Sequence, residues 1–266
     1  MKLLVSLLCV SLFGITHKPW FGKLLEFQFK PEYLWRYYSD IDNGFNPTGE
    51  SSVDQAINLD LCVSPWPTWE VQFEMDFVDT NLHSWSYLST ALYVRYLLLD
   101  DVAGDPVSLT LGGLLRTVNS HFLDDVSVPY HANMNLEFYS AIGKEFDKLY
   151  NWTWRTWGVL GAGIGNRGAP YLIGDLNIEG KFGHHQLRAF ANSLWGLGGQ
   201  SRVNVSQFNS YANIAHHSID IGGRYAYHFE YWGALSLSYA YRVYARSFPE
   251  DVHTLRIQYA LPFSLL

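Results

Sequence analysis

The segment 216–220, HHSID, brings together residue types that can carry out catalysis. Successive side chains of a β-strand point to opposite faces, so His216 and Ser218 share a face about 7 Å apart along the backbone. A serine beside a histidine can attack an ester, with the histidine taking the hydroxyl proton. The same alternation places His216 and Ser218 on one polar face with Asp220 and Arg224. On that face, both side chains would only line the inside of the sheet. Catalysis by Ser218 and His216 is therefore an alternative and not the main prediction.

A metal site is a weaker interpretation of these residues. Adjacent His216 and His217 point to opposite faces of a strand and cannot ligate one ion together with Asp220, and the pair at 184–185 falls in a turn. The chain contains no nucleotide-binding glycine motif and no zinc-ligand spacing. We predict neither a metal nor a cofactor.

Charged residues recur at alternate positions along most of the chain, with acids concentrated early and arginines late. If these faces line the inside of a closed sheet, the segregation creates a field across a water-filled lumen and filters charged solutes. The alternative is an ionic plug of paired charges inside a closed barrel. The candidate lumen and selectivity residues are Glu70, Glu74, Asp76, Arg95, Arg116, Arg155, Arg224, Arg242 and Arg256.

The segment 25–37, LEFQFKPEYLWRY, shows which element positions these charges. Every second residue is apolar or aromatic, and nearly all residues between them are charged or amides. A helix would spread this pattern around its circumference, whereas a strand separates the two sets onto opposite faces. The length suits a tilted strand that crosses a bilayer, which needs roughly 9 to 11 residues.

The same alternation recurs about a dozen times, which predicts an all-β, antiparallel transmembrane barrel of about twelve strands. The first, fifth and ninth connections are long and polar, whereas the second, eighth and tenth are short. This asymmetry is typical of outer-membrane barrels with both termini in the periplasm. The predicted strands are 25–37, 55–63, 69–77, 87–98, 107–117, 132–143, 152–164, 171–182, 186–197, 215–227, 233–244 and 253–263.

Composition agrees with this fold and excludes some functions. A net charge of −7 over 266 residues argues against nucleic-acid binding. The aromatic content of 17% suits strands with interfacial tryptophan and tyrosine belts. No run reaches the roughly 18 apolar residues of a transmembrane helix. A secreted β-sandwich is an alternative, but its apolar faces would have to cover one another.

The first 16 residues have the pattern of a secretory signal peptide. A positive Lys2 precedes the apolar run 3–13, and Gly14 and Thr16 offer small residues for cleavage. We therefore divide the chain into a leader, 1–16, and one barrel domain, 17–266. Cleavage removes Cys9 and leaves only Cys62, so the mature chain has no intrachain disulfide.

The pattern as a whole resembles a Gram-negative outer-membrane β-barrel protein of porin-like architecture. The C-terminal segment LRIQYALPFSLL resembles the terminal strand signal of such proteins, with Tyr259, Leu261 and Phe263 in one register, although Leu266 replaces the usual final aromatic. The resemblance implies residence in the bacterial outer membrane, contact with its lipid, and recognition of the last strand by the barrel-assembly machinery.

The pair His216 and Ser218 also resembles that of outer-membrane phospholipases and lipid A deacylases. Those enzymes usually carry asparagine after the serine, where this chain has Ile219, and their pair faces lipid. The main functional prediction is therefore a porin-like channel for small hydrophilic solutes with a charge-segregated lumen. A closed structural or anchoring barrel and a lipid-modifying serine hydrolase are the alternatives.

Overall fold

The computed structural model describes residues 17–45, 51–148 and 152–264. The predicted leader, 1–16, lies outside this range. The barrel strands are β1 Glu26–Tyr38, β2 Ser52–Trp66, β3 Trp69–Asp79, β4 Ser86–Leu99, β5 Ser108–Val118, β6 Met134–Lys148, β7 Trp152–Gly165, β8 Tyr171–Phe182, β9 His185–Gly196, β10 His217–Phe229, β11 Gly233–Arg246 and β12 His253–Ser264. Over the described residues, no helix is long and apolar enough to cross a membrane.

Each strand pairs antiparallel with its neighbours in sequence, and β12 pairs with β1 to close a barrel. The closing register sets Glu26 opposite Ser264 and Tyr37 opposite His253. Closure leaves no strand edge unpaired, which is the condition for a sheet to span a membrane. The predicted fold class, an antiparallel barrel of about twelve strands, is confirmed.

The barrel is apolar outside and polar inside. On β3, Phe73 points outward and is 41% exposed, whereas its neighbour Glu74 points inward and is 1% exposed. The same parity holds around the barrel, so the exposed surface carries leucine, isoleucine and aromatic side chains while acids and arginines are buried. A soluble protein shows the opposite distribution, and this surface fits only a hydrocarbon environment.

The two ends of the barrel differ. At the end that holds the first residue of β1 and the last of β12, here the turn end, successive strands are joined by short segments such as 67–68 and 183–184. At the opposite end, the loop end, the longest connections are 39–51, 119–133 and 197–216, as the sequence predicts. Two short ladders tie the loop 39–51 to two other loops: Gly44–Phe45 pairs with Val203–Asn204 in the loop 197–216, and Asp40–Ile41 pairs with Pro249–Glu250 in the loop 247–252.

Glycines on β5 and β7 make room for tyrosine rings on the inner wall. A Cβ at Gly112 would overlap the Tyr139 ring, and a Cβ at Gly163 would overlap the Tyr171 ring. The rings cover the glycine backbone on the neighbouring strand, an arrangement that compensates for the missing side chain. Close packing, and not a ligand, accounts for these two glycines.

Candidate functional site

The inner wall of β3–β5 carries a buried cluster of charges around Arg116. Arg116 Nη2 donates to Glu74 Oε1 at 2.6 Å and Nη1 donates to Asp76 Oδ2 at 2.8 Å. The guanidinium also donates to the Tyr93 hydroxyl and to Ser89 Oγ. Two carboxylates thus share one cation with further hydrogen bonds around it, which is what buried charges require.

Other acids of β1–β3 are paired in the same way. The bases of these pairs come from β1, β4, β11 and β12. The acid-rich strands predicted from the sequence therefore present a largely neutralised surface to the lumen. The pairs are Lys30 with Asp60, Arg36 with Asp54, Arg95 with Glu70, and Arg256 with Glu32, while Arg242 pairs with Asp220 on β10.

The wall of β9–β12 carries arginines with fewer acids. Arg188 on β9 stands directly opposite Arg224 on β10 and opposite Glu179 on β8. On β11, Ser238 lies between Arg224 and Arg256. These three arginines are half-buried, and Arg188 Nε has no hydrogen-bond partner within the described part of the chain. We call Arg188, Arg224 and Arg256 the basic wall.

Residues 17–24 form a strap inside the barrel, here the N-terminal strap. The Gly22 amide donates to Glu70 Oε2 at 3.2 Å, and the Pro19 carbonyl accepts from Thr110 Oγ1 at 2.8 Å. At the N-terminal end of the strap, His17 Nδ1 is 3.5 Å from Asp175 Oδ2. The strap therefore crosses the lumen from the base of β1 to β8.

Trp20 anchors this strap near the turn end. Its indole Nε1 donates to Asp101 Oδ1 at 2.8 Å, and its ring meets Trp157 edge-on at 5.8 Å between centroids. The Arg155 guanidinium lies 4.9 Å from the Trp20 ring centroid and is paired with Glu145. Arg95 Nη1 donates to the Lys18 carbonyl at 2.8 Å.

The contacts found for the strap among the described residues all lie on β1–β8 and on the connection after β4. The strap thus narrows the lumen against one half of the inner wall. The basic wall on β9–β12 faces the part of the lumen that the strap does not fill. Sequence reasoning missed this element, although two adjacent aromatics, Trp20 and Phe21, next to a proline and a glycine were a signal that the segment is buried without being a strand.

At the loop end, the long connections pack into an apolar cluster over the barrel. Phe122, Tyr211 and Phe248 are completely or almost completely buried there, and each belongs to a different loop. The loops are tied to the charged wall as well: Arg36 Nη2 donates to the Ser127 carbonyl at 2.6 Å, and Arg242 Nη1 donates to the Pro249 carbonyl at 2.8 Å.

All nine candidate lumen residues lie on the inner wall, but they form two groups. Arg155, Arg224 and Arg256 are half-buried and face the interior space. The remaining six are buried in ion pairs, and the role of all nine residues in selectivity stays a prediction. Those six are Glu70, Glu74, Asp76, Arg95, Arg116 and Arg242.

The pair His216 and Ser218 is not assembled for catalysis. His216 Nδ1 is 3.0 Å from the Ile214 carbonyl, and its Nε2 is 3.4 Å from His131 Nε2. Ser218 Oγ has no hydrogen-bond partner within the described ranges. A serine nucleophile needs the histidine within hydrogen-bond reach, so this geometry does not support hydrolysis.

Comparison with known proteins identifies the fold. No protein-family model and no curated protein sequence matches the chain. Among solved structures, an outer membrane channel from Pseudomonas putida F1 superposes with a TM-score of 0.62 at 11% identity, covering 94% of this chain and 100% of that one. The NanC porin superposes with a TM-score of 0.57 at 9% identity, covering 88% of this chain and 98% of the porin.

The chain therefore has the fold of a bacterial outer-membrane β-barrel protein. The predicted porin-like architecture and outer-membrane location are confirmed at the level of the fold. These two solved barrels are a channel and a porin, and identities near one tenth carry the likeness no further than the backbone.

Proposed function

We propose that this protein is an outer-membrane channel for small hydrophilic solutes and that it prefers anions. The observation that carries the proposal is the direct opposition of Arg188 and Arg224 on the inner wall. Like charges placed opposite each other destabilise a sheet, and they persist where water or an anionic solute compensates them. A barrel that only anchors something in the membrane has no need for this arrangement.

The charge distribution across the lumen supports the anion preference. The acids of β1–β3 are neutralised by bases in buried pairs, such as Glu74 and Asp76 with Arg116. On the other side, Arg188 and Arg224 face each other, with Glu179 opposite Arg188 and the side-chain amide of Gln258 bonded to Arg224. The net field in the lumen is therefore positive toward β9–β12, and a positive constriction favours anions.

The N-terminal strap sets the width of the proposed path. Because it packs against β1–β8, a solute passes between the strap and the basic wall. A barrel of about this strand number is close to the limit between a filled and an open interior, so one extra segment strongly reduces the free cross-section. We expect a narrow channel for single small solutes and not a general diffusion pore.

A closed structural barrel is the second candidate, and one observation favours it. The apolar cluster of loops, with Tyr211 and Phe248 at its centre, covers the loop end. A channel requires these loops to leave a passage or to move aside. If the loops of a channel move aside, the cluster acts as a gate. In an anchoring barrel, the cluster keeps the loop end closed permanently.

A liposome-swelling assay separates these candidates. Proteoliposomes containing the refolded chain are diluted into isotonic solutions of an anionic, a neutral and a cationic solute of matched size. The proposal expects swelling that is fastest with the anion. Swelling no faster than in protein-free liposomes, with folding shown by a heat-dependent gel shift, would instead support the closed barrel.

A further inference from the structure

A polar cavity lies among the loops at the loop end, and none of its described lining residues belongs to a barrel strand. Its volume is about 650 Å³, which falls within the range of small-molecule sites. It lies between the connection 166–170 and the loop 197–216, with Phe45 of the loop 39–51 at its rim. The long connections of an outer-membrane barrel are external, so this cavity is on the outer side of the membrane. The proposed channel does not use it.

Side-chain amides dominate the lining of this cavity. Each amide combines a carbonyl oxygen, which accepts hydrogen bonds, with an NH₂ group, which donates two. The side chains of Gln200 and Asn213 are exposed and make no hydrogen bond within the described part of the chain. The cavity therefore offers donors and acceptors side by side to a ligand. The five amide residues are Gln200, Asn204, Gln207, Asn209 and Asn213.

Charge has a smaller part in this cavity. None of the described lining residues is an acid, and two are arginines, Arg167 and Arg202. Arg167 Nη2 is committed to Asn209, because it donates to the backbone carbonyl and to Oδ1 of that residue at 3.1 Å each. The lack of carboxylates argues against a calcium site, and the single remaining guanidinium of Arg202 is fewer than the arginine clusters that bind phosphorylated ligands.

The cavity also has an apolar part. Phe208, Ala212 and Ile214 line it and are buried, and the ring of Phe45 is 41% exposed at the rim. A pyranose ring has hydroxyl groups around its edge and C–H bonds on its faces, and aromatic rings attract such C–H bonds through their negative faces. A lipid tail would leave the amides without partners, whereas a small ion would leave the apolar lining unused.

Backbone contacts hold the walls of the cavity in place. The Gln200 amide donates to the Asn213 carbonyl at 2.9 Å, and the Ala169 amide donates to the Ala212 carbonyl at 2.7 Å. Gly168 has a φ of +86°, and a Cβ there would overlap Ala212, so only glycine permits this approach of the two loops. The amides thus extend from a fixed backbone, which reduces the loss of conformational entropy on binding.

We propose that this loop cavity binds an uncharged saccharide at the cell surface. Gln200 and Asn213 bind the sugar hydroxyls directly, because their amides have no protein partner in the described ranges. The apolar lining contacts a face of the sugar ring. A free oligosaccharide and the neutral O-antigen sugars of lipopolysaccharide supply the same chemistry. The site is independent of conduction through the barrel, so a closed barrel would retain it.

A glycan array tests this site. The full chain is refolded in detergent, checked by the heat-dependent gel shift, labelled at its lysines and applied to neutral oligosaccharides, acidic oligosaccharides and delipidated O-antigen polysaccharides. Each bound glycan is then titrated by calorimetry against the parent and the variants Gln200→Ala and Asn213→Ala. The matched control is Asn81→Ala, which replaces an exposed amide in the connection between β3 and β4, outside the cavity.

We expect the parent to bind at least one neutral glycan. Each cavity variant should raise Kd roughly three- to tenfold through the loss of hydrogen bonds, and the control should leave Kd unchanged. Binding to the oligosaccharides supports a free glycan as the ligand, and binding to the O-antigens supports lipopolysaccharide. No neutral glycan bound by the folded parent, or equal affinity in the parent and both variants, would overturn the proposal. Binding of acidic glycans alone, lost in Arg202→Gln, would overturn it as well, because it would show an anion site.

Discussion

Arg188 and Arg224 stand directly opposite each other on β9 and β10, on the face of the sheet that lines the lumen. Arg224 Nη2 donates to Gln258 Oε1 at 2.6 Å, whereas Arg188 Nε has no partner among the described residues. The strand register also brings Glu179 on β8 opposite Arg188. The two facing cations support the proposed anion path.

Charge reversal on this wall should invert the ion preference. We expect Arg188→Glu and Arg224→Glu each to reduce the anion-to-cation permeability ratio several-fold, and the double variant to favour cations, because the local field changes sign. The measurement is the reversal potential in a salt gradient. Arg202→Glu, at an exposed loop position, is the control with the same charge change. Equal shifts in the control and the wall variants would contradict the assignment.

Loosening the N-terminal strap should widen the channel. Trp20→Ala removes the indole that binds Asp101 and packs on Trp157, so the strap loses its anchor. We expect a higher single-channel conductance and a weaker solute-size cutoff. Trp20→Phe keeps the aromatic packing and should stay close to the wild type. Identical conductance for the alanine variant and the wild type would show that the strap does not limit the path.

The strands follow from the sequence because a period of two separates the faces of every strand. The strand predicted at 69–77 corresponds to Trp69–Asp79 in the structure, and the strand predicted at 171–182 corresponds to Tyr171–Phe182. The differences occur where loops begin: β10 starts at His217 and not at 215, because His216 turns into the loop cluster. Alternation predicts on which face of the sheet a residue lies, but it does not predict where a loop packs.

The arrangement of the site could be predicted less well from the sequence than the strands could. Which acid meets which base depends on register, so the pairing of Arg116 with Glu74 and Asp76 could not be derived from parity alone. The meeting of His131 and His216 joins residues 85 positions apart through loops that have no repeating pattern. The segregation of acids and arginines along the sequence predicts a transverse field from both walls, whereas pairing neutralises much of the acidic wall.

Removing Arg116, the cation of the buried cluster, should lower the free energy of unfolding. Arg116→Met leaves Glu74 and Asp76 buried without their shared partner, and we expect a loss of about 3–5 kcal/mol in the free energy of unfolding. Guanidinium unfolding in detergent micelles measures this change. The triple variant that adds Glu74→Gln and Asp76→Asn removes the uncompensated charges and should recover a large part of the loss. A single variant as stable as the wild type would refute the cluster's structural role.

Acid should loosen the loop cluster. The unfolded histidine takes up a proton as the pH falls through about 6.5, whereas burial lowers the pKa of folded His131 to about 4. The stabilisation is therefore complete above pH 6.5 and decreases by up to about 1.4 kcal/mol per pH unit between these values. The lowered pKa of buried His216, next to His131, His217 and Arg242, acts in the same direction.

Hydrogen exchange in the loop 119–133, followed from pH 7 to pH 4.5 with a metal chelator present and corrected for intrinsic rates, measures this opening. We expect protection to fall with pH in the wild type and to fall less steeply in His131→Gln, where His216 alone still takes up a proton. Protection that is independent of pH in the wild type would contradict the assignment of this histidine as the acid-sensitive group.

Two glycines on β5 and β7 should respond differently to alanine. A Cβ at Gly163 would overlap the Tyr171 ring, and we expect Gly163→Ala to cost about 1–3 kcal/mol through overpacking. A Cβ at Gly113 would meet only the Phe138 ring at 3.7 Å and the Glu137 carbonyl at 3.9 Å, which is ordinary contact. Gly113→Ala should therefore be neutral. Equal unfolding midpoints in guanidinium for the two variants would refute this packing.

Single-channel current through a planar bilayer tests the central claim most directly. The chain is refolded in detergent, its folding is checked by the heat-dependent shift in gel mobility, and it is added to one side of a bilayer under a salt gradient. The channel assignment predicts discrete current steps with a reversal potential on the anion-selective side. A folded and inserted barrel that stays silent across the voltage range would contradict it.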